Sequence, residues 1–337
     1  MDSWILLPLM VLSSYCCYGS LCCPHVCICH FSSNATEVVC SNIAFTVFPY
    51  DRLPSNTTSL FIEFTNLSSI FAHQLEAVPL LQELHLSGNQ LSSLPEDLLK
   101  GLVHLHTLDL TGNRLERLPA AVFNHAPLVN LVLRDNMLLT ADAEWLPASS
   151  NITWLDLGGN RLSSMPTKLL QDLTKLERLD LSNNRLEKLP AGILDSLPNL
   201  QRLHLEGNRL SSVDQSAFQH SSNLTHLFLQ ENQLYKLPAA LFQGLHHLEV
   251  LSLNDNKLCS LQSGLLDKLP ALGSGAGQGV DLSQNPWECK VDVVYLWKWL
   301  RDHQKVVFFP ENIQCDSPES LKGRPILSLT EEELKTE

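Results

Sequence analysis

Trp154, Arg178 and Arg202 stand 24 residues apart at one place in a repeating frame, and Asp156 and Asp180 follow the first two by two residues. Val132, Arg134 and Phe228 fall at corresponding places in neighbouring units. A tryptophan offers a large apolar area, and an arginine offers a fixed fork of donors. Together they have the composition of a protein-binding hot spot, not of a catalytic centre. Asp156 and Asp180 are placed to hold Arg178 and Arg202, and their charges would make binding depend on salt. A plainer role is open to Trp154, that of packing on Val132 and covering sheet surface. No GxSxG, HExxH or Walker motif is present. The glycine run GSGAGQG at Gly273–Gly279 lacks the GxGxxG spacing of a nucleotide site. The histidines are scattered, and the carboxylates sit at variable positions of the units. The expectation is a non-enzymatic binding protein with no cofactor and no metal.

A second concentration of reactive side chains is Cys23-x3-Cys27-x-Cys29-x10-Cys40, with His25 and His30 nearby. Thiolates and imidazoles at such spacing could hold zinc. In an oxidising compartment the same cysteines form disulfides, and four cysteines permit three pairings. The compartment is indicated by the first residues. Trp4 to Leu12 form an apolar run too short to cross a bilayer, and cleavage after Gly19 would leave small residues at positions 17 and 19. Residues 1–19 therefore read as a secretory signal peptide, which favours disulfides. Five N-x-S/T triplets, at Asn34, Asn56, Asn66, Asn151 and Asn223, agree with an extracellular glycoprotein. No later stretch is apolar enough to span a membrane. The net charge of −13 argues against a nucleic-acid surface.

The elements that must hold these side chains are set by an internal repeat. The frame LxxLxLxxNxL recurs with asparagine at positions 89, 113, 136, 160, 184, 208, 232 and 256. The period is 24 residues with one unit of 23; a degenerate unit carries Thr65 in the asparagine slot, and a last unit ends at Asn285 after a 29-residue interval. That makes about ten units over residues 58–285. Alternation in xLxLx predicts a short strand whose leucines point inward and whose x residues point out. No unit can bury its leucines alone, so the units must stack. The predicted fold is an α/β solenoid, a horseshoe with a parallel concave sheet and short helical or irregular turns on the convex side. The x residues named first lie on the concave face.

An array of this kind exposes apolar surface at both ends and needs caps. Residues 20–57, rich in cysteine, and residues 286–337 are their expected locations. In the latter, Trp287 can cover the last leucine layer, and Val293, Leu296, Trp297 and Leu300 fall on one helix face. Cys289 is expected to pair with Cys315. Cys22 and Cys259 are left over.

The two caps and the 24-residue units resemble the secreted and cell-surface leucine-rich repeat superfamily over essentially the whole mature chain. By that analogy the N-terminal bridges would be Cys23–Cys29 and Cys27–Cys40. The usual C-terminal cap has a second cysteine where this sequence has Val291, and a fourth near its end that is missing here. Cys289–Cys315 survives that loss. The stretch LSQNPWEC…LWKWL…CDSPESLKGRPIL is similar to that of plasma glycoproteins in the superfamily. The resemblance implies an extracellular protein ligand or receptor, with transforming growth factor beta receptor components and cytochrome c as expected partners, in settings of vessel growth and acute-phase response. The repeats also resemble the non-catalytic subunit of carboxypeptidase N, which implies a regulatory subunit as the alternative.

Overall fold

A computed structural model describes residues 23–33 and 35–336. The signal-peptide segment, Cys22 and the Asn34 triplet lie outside the described residues.

The horseshoe predicted from the repeat is the architecture observed. Ten short strands, from Thr57–Glu63 through Trp154–Asp156 to Gly279–Asp281, pair in parallel, each with the next. Three further strands come from the ends. Ile28–Phe31 runs antiparallel to Thr36–Ser41, which pairs in parallel with Thr57–Glu63. Val307–Phe308 adds to the other edge beside Gly279–Asp281. The register is strict, so one concave row runs Asn130, Trp154, Arg178, Arg202, His226, and the next Val132, Asp156, Asp180, His204, Phe228. Each central leucine of these strands is buried in one continuous core. The convex side is irregular. It holds two short helices, Ala72–Leu75 and Thr167–Gln171, and a two-residue ladder between Lys188–Leu189 and Ser212–Val213.

The asparagines close each coil from inside. Asn184 Nδ2 donates to the carbonyls of Leu157, Leu181 and Ser182, at 2.9, 3.2 and 3.0 Å. Its Oδ1 accepts from the Leu162 N–H at 3.0 Å. The same pattern recurs in every unit from Asn113 to Asn285. Thr65 continues it by donating its hydroxyl hydrogen to Asn89 Oδ1. An asparagine side chain has both donor and acceptor, which is why this buried slot suits it. The residue just before each ladder asparagine is left-handed: Gly159 has φ +64°, and Asn183, Glu231 and Asp255 share the conformation. That turn aims the asparagine inward, and where the residue is not glycine it carries a steric cost.

Among the described residues, three disulfides hold the ends. Cys23 is bonded to Cys29 and Cys27 to Cys40, beside the antiparallel pair. Those thiols are consumed, so they cannot hold zinc as thiolates, and no metal-binding cluster occurs among the described residues. Cys289 is bonded to Cys315. Trp287 is wholly buried over the last layer and donates its indole N–H to the Leu282 carbonyl at 3.2 Å. Helix Val294–Asp302 buries Trp299 as well as Leu296, Trp297 and Leu300. Trp299 lies off the face read from the sequence, and its ring stacks on His303 at the helix end. Cys259 is a free, exposed thiol.

Candidate partner-binding face

Two residues of each short strand face the concavity, so strand spacing and register fix where every side chain stands. Trp154 is 37% exposed there, a large apolar surface left in water. Its row neighbours Arg178 and Arg202 are exposed too. Val132 differs from expectation. It is only 8% exposed, between Asp109 and Asp156 in the strand register, and it offers little to a partner.

The acids also differ from expectation. Asp156 and Asp180 do not hold Arg178 and Arg202. They are taken by Arg134, whose Nη1 donates to Asp180 Oδ2 at 2.9 Å and to Asp156 Oδ2 at 3.5 Å. Arg134 comes from two units earlier and crosses above Gly158. A Cβ on Gly158 would stand 2.7 Å from Arg134 Nη1 and 3.0 Å from both Asp180 Oδ1 and Ser182 Oγ. The missing side chain is what opens the path. The remaining oxygen of each acid is capped locally. Asp156 Oδ1 accepts from Gly158 N–H, and Asp180 Oδ1 from Ser182 N–H, both at 2.9 Å.

Burial pushes the Asp156 carboxyl up to about 6, and the charge of Asp180 adds to the rise. The Gly158 N–H and Arg134 oppose it without cancelling it. Burial works against the Arg134 cation, but Asp156 and Asp180 outweigh that and hold its pKa above the ordinary value. His204 behaves alike. Burial disfavours its charged form, yet a bond to Glu206 and the charges of Asp180 and Asp156 hold it above the usual imidazole value. His226 is lowered, by burial and then by Arg202.

His204 and Phe228 stack at 4.4 Å between centroids, so Phe228 is half-buried against its neighbour. A second stack, Phe61 on His85 at 4.4 Å, lies toward the other end of the same face. Both histidines lean on acids, His85 on Asp109 and His204 on Glu206. Sequence reading placed Phe228 on the face but missed His204, Glu206 and Gly158 as parts of the central cluster. The available signal was the fixed register, which puts His204 one unit from both Asp180 and Phe228. Trp154, Asp156, Arg178, Asp180, Arg202 and His204 line a hollow of about 150 Å³. Asn66, Asn151 and Asn223 are exposed and Asn56 is partly buried, and none of the four lies on the concave side of the central strands.

The repeat geometry, the ladder and the caps define the class. Residues 55–115, 126–186, 174–234, 198–258 and 222–274 match the family described as leucine rich repeat, and residues 312–335 match the leucine rich repeat C-terminal domain. The chain belongs to the leucine rich repeat family. Leucine rich repeat proteins are, as a class, non-catalytic interaction modules.

Among particular proteins, a phospholipase A2 inhibitor of Gloydius brevicaudus siniticus is 42% identical over 65 residues, which is 19% of either chain. Phospholipase A2 inhibitor beta of Elaphe climacophora is 43% identical over 65 residues, again 19% of either chain. The platelet glycoprotein Ib beta chain of Rattus norvegicus is 38% identical over 72 residues, 21% of this chain and 32% of that one. The similarity thus spans a third or less of the length of these curated relatives. One chain of a solved octameric complex of Latrophilin 3 (Lec, Olf), Unc5D (Ig, Ig2, TSP1) and FLRT2 (LRR) shares the fold. Its TM-score is 0.72 at 24% identity, covering 92% of this chain and 98% of that one. No helix among the described residues is long and apolar enough to cross a membrane.

Proposed function

We propose that this chain is a secreted, glycosylated binding protein that engages an extracellular protein partner through its concave face, around Trp154. The observation that carries the reading is Trp154 itself. It is 37% exposed on a rigid sheet, beside two arginines that the structure leaves without acid partners. Such anchors dominate the energetics of protein interfaces. The finer proposal is modulation of transforming growth factor beta receptor signalling, with cytochrome c as a further partner. It is supported by the C-terminal stretch from Leu282 to Leu327, which is similar to that of leucine-rich alpha-2-glycoprotein in sequence and in its single bridge.

The test is surface plasmon resonance with receptor ectodomains and cytochrome c as analytes. Trp154→Ala should weaken the main interaction by about 2 kcal/mol, roughly thirtyfold in Kd. Lys168→Ala, on the convex helix, should leave it unchanged. Wild-type binding by both Trp154→Ala and an Arg178→Ala/Arg202→Ala double variant would move the interface off the concave face.

A second reading is favoured by the relatives that are named phospholipase A2 inhibitors. In it the chain is a non-catalytic inhibitor or subunit of a secreted enzyme, of the kind carboxypeptidase N contains. A stoichiometric enzyme partner, seen as a larger native size in plasma, would favour it over the receptor reading.

A further inference from the structure

Arg178 and Arg202 stand directly opposite each other in adjacent parallel strands, at a strand spacing of about 4.8 Å. Both are exposed. Among the described residues neither has an acid within 4.0 Å, although Asp156 and Asp180 belong to the same small cluster. Like charges facing each other across a sheet destabilise it. A chain with a net charge of −13 has acids in plenty to relieve such a pair. Here Asp156 and Asp180, which line the same hollow, are held by Arg134 instead, through a path that Gly158 keeps open. The outcome is a pair of free guanidinium groups beside an exposed indole.

The size of the hollow limits what these groups receive. Small-molecule sites occupy about 300–1,000 Å³, and this hollow holds about 150 Å³. It has room for one side chain of a larger partner. Guanidinium groups match a carboxylate in shape and charge, and two of them can share its oxygens. Trp154 lies next in the row and suits an apolar neighbour of that carboxylate.

We infer that Arg178 and Arg202 form a carboxylate clamp for an Asp or Glu side chain of the protein partner, set beside an apolar residue that rests on Trp154. This rests on the concave face being the partner surface. Arg134 is a positioning residue. By occupying Asp156 and Asp180 it leaves the clamp empty for the partner.

The experiment is selection of a random displayed-peptide library on the full-length protein, followed by titration of synthetic peptides. Selected sequences that depend on Trp154 should carry Asp or Glu next to an aromatic or aliphatic residue. Replacing that acid by its amide should weaken binding about tenfold. Arg178→Gln/Arg202→Gln should cause the same loss, and the amide peptide should lose nothing more on that variant. Arg134→Gln should weaken the acidic peptide severalfold but not the amide peptide, and Arg134→Lys should restore it. Unchanged melting temperatures of the arginine variants keep these comparisons clean. Trp154-dependent peptides without acidic residues, or indifferent to both arginines, would overturn the clamp and leave the concave surface standing. Tighter arginine-dependent binding of a heparin oligosaccharide or inorganic phosphate would also overturn it, because the anion is then not a carboxylate. Selected peptides that all ignore Trp154 would overturn both.

Discussion

Two of the polar networks that tie neighbouring units together differ in kind. The asparagine ladder is inside the coil and recurs in every unit from Asn113 to Asn285. The Arg134–Asp156–Asp180 network is on the concave face and occurs once. In the ladder each asparagine oxygen serves a buried backbone N–H that would otherwise lack a partner, so every unit needs it. The arginine network satisfies no backbone of Arg134's own unit. Strands elsewhere in the sheet manage without an equivalent, so the fold does not require it. A repeated network marks what stacking demands, whereas a solitary one marks what a particular surface has been shaped to do.

The widest separation between the two faces is available within one strand. Leu155 is fully inside and Trp154 is outside. Leu155→Ala should cost about 2–5 kcal/mol, as deletion of a packed side chain does. Trp154→Ala should stay within about 0.5 kcal/mol of wild type in stability. Chemical denaturation of the two variants checks both, and similar losses would erase the distinction between the faces.

A smaller effect tests the ladder. Asn184→Ala leaves the Leu162 N–H without its partner inside the coil, while the carbonyls of Leu157, Leu181 and Ser182 each lose one of two donors. The expected cost is about 1–3 kcal/mol. A melting temperature equal to wild type would mean that water replaces the side chain and that the ladder is dispensable.

The acid pair gives a pH signature that the ladder cannot. The folded pKa of Asp156 lies near 6, above its unfolded value. Between that value and about 4 the folded state keeps a proton that the unfolded state has released. Asp156 therefore supports folding at the acid end and loses that contribution as pH rises through about 6. His204, also raised, acts in the same direction nearer neutrality. Wild type should lose melting temperature relative to Asp156→Asn on going from about pH 5 to about pH 7. Parallel melting curves for the two proteins would show that Arg134 keeps Asp156 ionised throughout.

The smallest expected effect is at Gly158. Gly158→Ala places a methyl 2.7 Å from Arg134 Nη1. The guanidinium can swing aside into solvent, so global stability should change by less than about 1 kcal/mol. A crystal structure of the variant should show Arg134 displaced from Asp180 and the ladder unaltered. An unmoved Arg134 would show that the glycine is not what opens its path.

The leucines and ladder asparagines are legible in the sequence because stacking imposes the same demand on every unit, and repetition exposes the demand. The caps are legible from residues that break the frame, Trp287 and Cys289 among them. Trp299 escaped because it lies off the apolar face set by the helix period; its ring stacks on His303 at the helix end. On the concave face, register alone names the residues that face out, Trp154 and Arg178 included. It does not say which side chain crosses to which. Arg134 reaches two units along because Gly158 has no side chain, and no periodic signal records an absence at one position. Asp180 stands next but one to Arg178 and 46 residues from Arg134, so adjacency in sequence pointed to the wrong arginine.

That long reach breaks the translational symmetry of the array. Ladder units are interchangeable in principle, since each hands the next the same bonds. The stretch from Arg134 to His204 is not, because its side chains count units: the arginine bonds an acid in each of the next two, and one more completes the hollow. Duplicating a unit on the far side of Phe228 would lengthen the arc and leave this spacing intact. Duplicating the unit that contains Gly158 would put a copy of Asp156 where Asp180 stands and move Arg178 and Arg202 one strand further from Arg134. The solenoid can therefore change length at its flanks, while the centre behaves as a fixed ruler.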